Sequence, residues 1–371
     1  MYIPAYRIEG GGESTIMARD RLIEIAIANW GGRFISNGVP FADFQEVTAG
    51  LERWEDWCRA WSDRAALHEK YGREALETGH GISAGEHLQR AAVLYHFGKY
   101  LFVEDMEQYR AAHMKSVDCH TLALPHLDPP GERVEIPYEG KMLYGVLRKP
   151  PGVVRPPVMI MCVGLDSTKE EMATNEAGYL RRGIATLSFD GPGQGEGEID
   201  FAIRPDYEAA VSAVADFIET RKDIDPGRIG LWGVSLGGYY APRAAAFEKR
   251  VRACVAISGP FCFADAWPDF PPMSKKVFQQ RARCETMGEA DEAAARLTLE
   301  GVAGNITCPL FIVTGDDDPV IPPHSTQRIA DEAGGEVKFL LVERGGHNAN
   351  KRRYCYDAQT ADWMAAHLGA V

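Results

Sequence analysis

Beyond about residue 125 the chain alternates short apolar runs with stretches of helical periodicity, and this alternation restricts the fold class more than any other feature. Six apolar runs stand out: PPVMIMCVG (Pro156–Gly164), IATLSFD (Ile184–Asp190), RIGLWGVS (Arg228–Ser235), RACVAIS (Arg252–Ser258), CPLFIVTG (Cys308–Gly315) and VKFLLVE (Val337–Glu343). Between and after them lie helical candidates at Glu170–Arg182, Tyr207–Arg221, Leu236–Phe247, His324–Glu332 and Tyr356–Leu368. Near-continuous apolar strands alternating with helices form a mostly parallel sheet covered on both faces. Ahead of them, Arg133–Tyr138 and Met142–Arg148 are separated by Glu139-Gly140-Lys141, a hairpin signal that adds an antiparallel edge. The expectation is an α/β fold with an eight-stranded sheet flanked by helices. About 50 residues separate RACVAIS from CPLFIVTG, too many for a plain connection. Residues 259–305 therefore read as an insertion that helps roof an active site.

Before residue 125 the pattern is helical. Leu22, Ile23, Ala26 and Ile27 share one face of a helix over Arg19–Trp30. A second helical segment runs from Phe41 to about Leu76. In it Trp54, Trp57, Trp61 and Leu67 follow at steps of three, four and six. A third helix is expected to open at Ser83, where Ser83 and Glu86 have capping-box spacing, and to continue to Phe102. Asn37-Gly38, Gly79 and Gly81 break these pieces, and Pro125, Pro129 and Pro130 mark a linker. Two domains follow: residues 1–125, helical, and residues 126–371, the sheet domain.

Composition narrows the partners. Hydrophobic residues make up 45% and charged residues 25%, as in ordinary globular proteins. The net charge of −13 argues against nucleic acid or an anionic membrane as partner but does not identify a substrate, because a local site can differ in sign from the whole; a small-molecule substrate is expected from the motifs below. Eight scattered cysteines form no CxxC pair and no zinc-finger spacing, so free thiols in a cytoplasmic protein are expected. The first twenty residues lack the basic-then-apolar order of a signal peptide. No apolar run approaches the ~18 residues of a membrane span.

Gly233-Val234-Ser235-Leu236-Gly237 falls between a predicted strand and a predicted helix. In that context G-x-S-x-G is a sharp turn that presents a nucleophilic serine at the strand end. A serine hydroxyl needs a base, and the base needs an orienting acid. Both follow late strands, in the order serine, acid, histidine. The base is His347, in Arg344-Gly345-Gly346-His347; His324 and His367 fall in predicted helices. Of three adjacent aspartates, Asp318 is preferred as the acid, with Asp316 and Asp317 read as loop or cap carboxylates. For an oxyanion hole, the Leu236 N–H is one donor. The second comes from the loop Gly164-Leu165-Asp166-Ser167 and is assigned to Leu165, with Gly164 next. Tyr239, Phe261, Phe263 and Trp267 are expected near the mouth as an apolar substrate pocket. HExxH, HxxEH and GxxxxGK[ST] are absent, so no metal and no cofactor is expected.

These motifs carry a family resemblance. GLDSTKEE, FDGPGQGEGE (Phe189–Glu198) and GVSLGGYYA resemble the 2,6-dihydroxypseudooxynicotine hydrolase branch of the α/β-hydrolases, which includes fungal polyketide-shortening hydrolases. Fermentation–respiration switch proteins are more distantly similar. The likeness extends to WEDWCRAWS and SAGEHLQRAA near the N-terminus, which look like the helical domain that caps the site there. The resemblance implies the α/β-hydrolase fold, an active site between cap and core, and a homodimer by analogy. It also implies hydrolysis of a C–C bond next to a ketone, which requires an acid to protonate the departing carbon. The family places a glutamate after the sixth strand. Here that segment holds Asp265 and Asp269 instead. Three readings remain: a C–C bond hydrolase; a carboxylesterase or acyltransferase with the same triad; and a non-catalytic regulatory protein on a hydrolase scaffold.

Overall fold

The computed structural model describes residues 19–370. The segment whose order argues against a signal peptide lies almost wholly outside them. Five helices come first: α1 (Arg21–Ser36), α2 (Phe41–Ala49), α3 (Trp57–Glu77), α4 (Gly81–Lys99) and α5 (Met106–Ala123). The hairpin β1 (Gly131–Tyr138) and β2 (Lys141–Arg148) follows. Then come β3 (Val158–Cys162), α6 (Ala173–Leu180), β4 (Ala185–Asp190), α7 (Glu208–Thr220), β5 (Ile229–Val234), α8 (Gly237–Phe247) and β6 (Val251–Ile257). The insertion supplies α9 (Phe263–Ala266), α10 (Pro272–Arg281) and α11 (Met287–Ala295). The chain ends with β7 (Leu310–Gly315), α12 (Pro323–Glu332), β8 (Val337–Val342) and α13 (Asp357–Leu368).

All eight predicted strands form, in one sheet of order β1-β2-β4-β3-β5-β6-β7-β8. β1, β2 and β4 pair antiparallel, and the remaining pairs are parallel. This is the α/β-hydrolase fold. Strand alternation splits the core. Val158, Ile160 and Cys162 face one side with α7 and α8, whereas Met159, Met161 and Val163 face the other with Tyr179, Met364 and Leu368. β3 pairs with β4 on one side and β5 on the other. The order of succession therefore reverses there, and such a switch point opens a crevice at the strands' C-terminal ends.

The helices before β1 join the first of these cores through an aromatic cluster. Phe34 stacks on Phe97 at 3.8 Å and meets Trp57, Trp61 and Tyr100 edge-on at 6.1, 5.3 and 5.7 Å. Trp54, Trp57 and Trp61 are buried, but Leu67 is 41% exposed. Its step of six leaves the buried stripe, which continues instead through Ala65 and Gly72.

Three local expectations are corrected. The long second segment is two helices, with a break after Gly50. α4 begins at Gly81 without a side-chain cap, so Ser83 lies inside it. The reason is the end of α3, where Gly79 takes φ +78° and the Gly79 and His80 N–H groups bond back to Leu76 and Ala75. That Schellman turn leads directly into the next helix. α4 also ends at Lys99, and α5 is a further helix, opened by Asp105 accepting from the Glu107 and Gln108 N–H groups. Asp105 was the legible cap signal.

No helix among the described residues is long and apolar enough to cross a membrane. The eight cysteines, all in the described residues, are free. Phe34→Ala is expected to cost about 3–5 kcal/mol, the range for truncating a buried aromatic, read as a lowered denaturant midpoint.

Candidate active site

Ser235 sits between β5 and α8 with φ +56°, left-handed backbone that a non-glycine residue adopts only under constraint. The glycines on either side make the turn sterically feasible. A Cβ on Gly233 would lie 1.9 Å from the Gly237 carbonyl oxygen, and one on Gly237 would lie 2.1 Å from that of Cys162. Helix and strand approach too closely for any side chain at these two positions.

His347 follows β8. Its Nε2 is 2.9 Å from Ser235 Oγ, and its Nδ1 is 3.0 Å from each oxygen of Asp318. With the proton on Nδ1 facing the carboxylate, Nε2 accepts from the serine hydroxyl. Asp318 Oδ1 also accepts from the Val320 and Ile321 N–H groups at 2.9 and 3.0 Å. Burial pushes the Asp318 pKa up, but His347 and the two N–H donors outweigh it, and the carboxyl sits below its ordinary range. Its neighbours bind the two loops together. Asp316 accepts from the Arg344 N–H at 2.6 Å, and Asp317 accepts from the Gly346 N–H at 2.6 Å and from Lys351 at 3.1 Å.

The loop after β3 closes the site from the other side. A Cβ on Gly164 would lie 3.3 Å from Ser235 Cβ. Among the described residues, neither the Leu165 nor the Leu236 N–H donates to a protein acceptor. Two side chains that the sequence reading missed hold this loop. Gln194, from the GPGQGEGE turn, donates to the Val163 and Gly164 carbonyls at 2.7 and 3.1 Å and accepts from Tyr207 Oη at 2.8 Å. Arg281 of α10 donates to the Leu165 carbonyl and, at 3.0 Å, to Tyr109 Oη.

A pocket opens over Ser235 and His347. Trp30 and Arg33 of α1, Asn37 just after it, and Tyr100 form one wall, facing Leu165, Asp166 and Met172, with Phe270 and Val320 nearby. Arg33 reaches across to grip Glu171 with two bonds of 2.7 Å, and donates to Ser167 Oγ at 2.7 Å and Tyr100 Oη at 2.9 Å. Burial alone would raise the Glu171 pKa, but Arg33 and His96 hold it well below the ordinary range.

The aromatic residues expected at the mouth are elsewhere. Tyr239 is fully buried and donates to the Pro205 carbonyl; Phe261 lies under Arg328; Phe263 and Trp267 pack on each other and on Phe278. Asp265 accepts from Ser325 Oγ at 2.7 Å, and Asp269 is exposed. None of the six lines the pocket. Phe261, Phe263 and Trp267 turn into the buried core, and so does Tyr239 on α8, a direction that position in the sequence alone does not reveal. As for metals, the Glu170, Asp190 and Glu196 carboxylates converge, but Lys169 Nζ lies 2.5, 2.8 and 2.7 Å from them and occupies the central position.

Gln194→Ala is expected to lower kcat by about 10²-fold with little change in melting temperature. Displacing a positioning loop by ~1 Å costs about that much. Steady-state kinetics beside thermal unfolding checks it.

Comparison with known proteins agrees with this architecture. Residues 43–367 match the family described as Esterase FrsA-like. The chain is 34% identical over 348 residues to 2,6-dihydropseudooxynicotine hydrolase of Paenarthrobacter nicotinovorans, covering 92% of each chain. It is 36% identical over 224 residues to 20-hydroxy-prefusarin hydrolase of Gibberella moniliformis, covering 56% of this chain and 52% of that one. The crystal structure of 2,6-dihydroxy-pseudo-oxynicotine hydrolase superposes with a TM-score of 0.84 at 32% identity, over 92% of this chain and 96% of that one. The chain is a hydrolase and belongs to the FrsA-like esterase family of the α/β-hydrolase fold.

Proposed function

We propose that the protein is a serine hydrolase that cleaves a C–C bond next to a ketone in a small aromatic or polyketide-like compound. The observation that carries the serine mechanism is the hydrogen-bonded chain Ser235–His347–Asp318 opening into a pocket. Ser235 Oγ attacks the carbonyl carbon while His347 Nε2 takes its proton, and Asp318 stabilises the imidazolium. The free N–H groups of Leu236 and Leu165 receive the oxyanion. Collapse of the tetrahedral intermediate leaves an acyl group on Ser235, which water then releases.

The bond type rests on kinship with a 2,6-dihydropseudooxynicotine hydrolase over nearly the whole chain. The walls agree with a flat, oxygen-bearing substrate: Trp30, Tyr100, Met172 and Phe270 are apolar or aromatic, while Asn37, Asn175, Asn348 and Asn350 offer amides. The segment before residue 125 is read as the cap, because α1 and Tyr100 supply one wall. Ester hydrolysis is the second reading, favoured by the description of the matching family. A departing alkoxide can take its proton from His347, so that chemistry needs no further acid.

Ser235→Ala and His347→Ala should each lower turnover by about 10⁴-fold or more, and Asp318→Asn by about 10³–10⁴-fold, with circular dichroism unchanged. The assay compares acyl-phenols and β-diketones with aryl esters and identifies products by mass spectrometry. Release of a carboxylic acid and a protonated carbon fragment from a ketone is the expected result. Turnover of esters alone would replace the C–C reading with the esterase one.

A further inference from the structure

We infer that Asp166 is the acid that protonates the departing carbon, an inference that rests on the C–C reading of the site. A carbanion leaving group needs a proton delivered at carbon, and a positioned carboxylic acid can deliver it. The two aspartates that follow β6, Asp265 and Asp269, lie outside the pocket. Asp166 lies in it, one residue beyond Leu165 on the loop that faces Ser235.

The other carboxylates at the site, Glu171 in the pocket and Asp318 behind His347, are engaged. Both oxygens of Glu171 accept from Arg33, and Asn37 donates to one of them, so Glu171 stays anionic. Asp318 is committed to His347. Asp166 Oδ1, by contrast, is buried and has no hydrogen-bond partner among the described residues. An unpartnered buried carboxylate oxygen is costly as an anion and much less so once the carboxyl is protonated.

The surroundings fit an acid form. Burial raises the Asp166 pKa; Arg281 of α10, Arg33 of α1 and Lys99 of α4 oppose the rise, Glu171 adds to it, and the net direction is upward. The Tyr100 hydroxyl and His347 also face the pocket. The Asp166 proton is present below its raised pKa and lost as pH rises through it.

The step balances. Ser235 Oγ bonds to the carbonyl carbon and its proton passes to His347. The C–C bond breaks, its electron pair stays on the departing carbon, and the Asp166 carboxyl proton bonds to that carbon. The Asp166 carboxylate regains a proton as the imidazolium is discharged. His347 then takes a proton from the water that attacks the acyl-enzyme, and returns it to Ser235 as the acid is released. The net change is ketone plus water to carboxylic acid plus a C–H compound.

The test compares wild type, Asp166→Asn and Asp166→Glu on a ketone from the acyl-phenol and β-diketone panel and on 4-nitrophenyl acetate. For Asp166→Asn, kcat on the ketone should fall about 10²-fold or more with KM little changed. The ester loss should be at least about tenfold smaller, and Asp166→Glu should recover part of the ketone activity. The falling alkaline limb of the wild-type kcat profile on the ketone should vanish in Asp166→Asn. Equal loss on both substrates, undiminished ketone turnover, or a retained limb would overturn the assignment while leaving the C–C reading intact. A wild type that hydrolyses the ester and no ketone would overturn both.

Discussion

The site depends on a steric constraint: β5 and α8 meet so closely that the turn between them has no room for side chains at Gly233 and Gly237. The Cys162 carbonyl at the end of β3 closes on Gly237, so the neighbouring strand fixes the same turn. Ser235 is held at φ +56° because both of its flanks are determined by packing. A backbone conformation of this kind costs of order 1–3 kcal/mol and persists only where the surroundings over-determine it. The presentation of its hydroxyl is thus a consequence of how the parallel sheet and its crossover helices fit together.

A second layer of organisation is electrostatic. The run Ser167–Glu171 looks like an exposed, charged helix start, yet all five residues are buried. Burial is tolerated because the charges are paired. Lys169 lies among Glu170, Asp190 and Glu196, and Glu171 is gripped by Arg33 from α1, 138 residues away in sequence. Removing one member of such a set strands the others in low dielectric, so this layer ties the N-terminal helices to the loop bearing Leu165 and Asp166. Gln194 and Arg281 hold the same loop from two further directions.

One loop thereby connects several functions. It carries the Leu165 N–H and the Asp166 Oδ1, both without a protein partner among the described residues, and the Ser167 hydroxyl that accepts from Arg33. Shape on the N-terminal side comes from Trp30 and Tyr100, which belong to or adjoin the aromatic cluster around Phe34. The hydrophobic packing of those helices and the walls of the site are therefore one construction.

The sequence by itself determined the eight strands, the α/β class and the neighbourhoods of Ser235, His347 and Asp318. The physical reason is that each is signalled locally, by a continuous apolar run, by glycines at a sharp turn, or by a polar residue just after a strand. Tertiary structure alone decided what lines the pocket. Trp30 and Arg33 reach it from α1, and Tyr100 from the end of α4, helices whose periodicity reports burial but not what they are buried against. Tyr239, Phe261, Phe263 and Trp267 have the right composition and proximity in sequence, yet they turn into the core. Asp265 and Asp269 do not line the pocket, whereas Asp166 does, because the direction of a side chain on an irregular loop is set by what packs over that loop. Contacts between residues far apart in the chain leave no periodic trace in a single sequence, and those contacts shape the walls of this site.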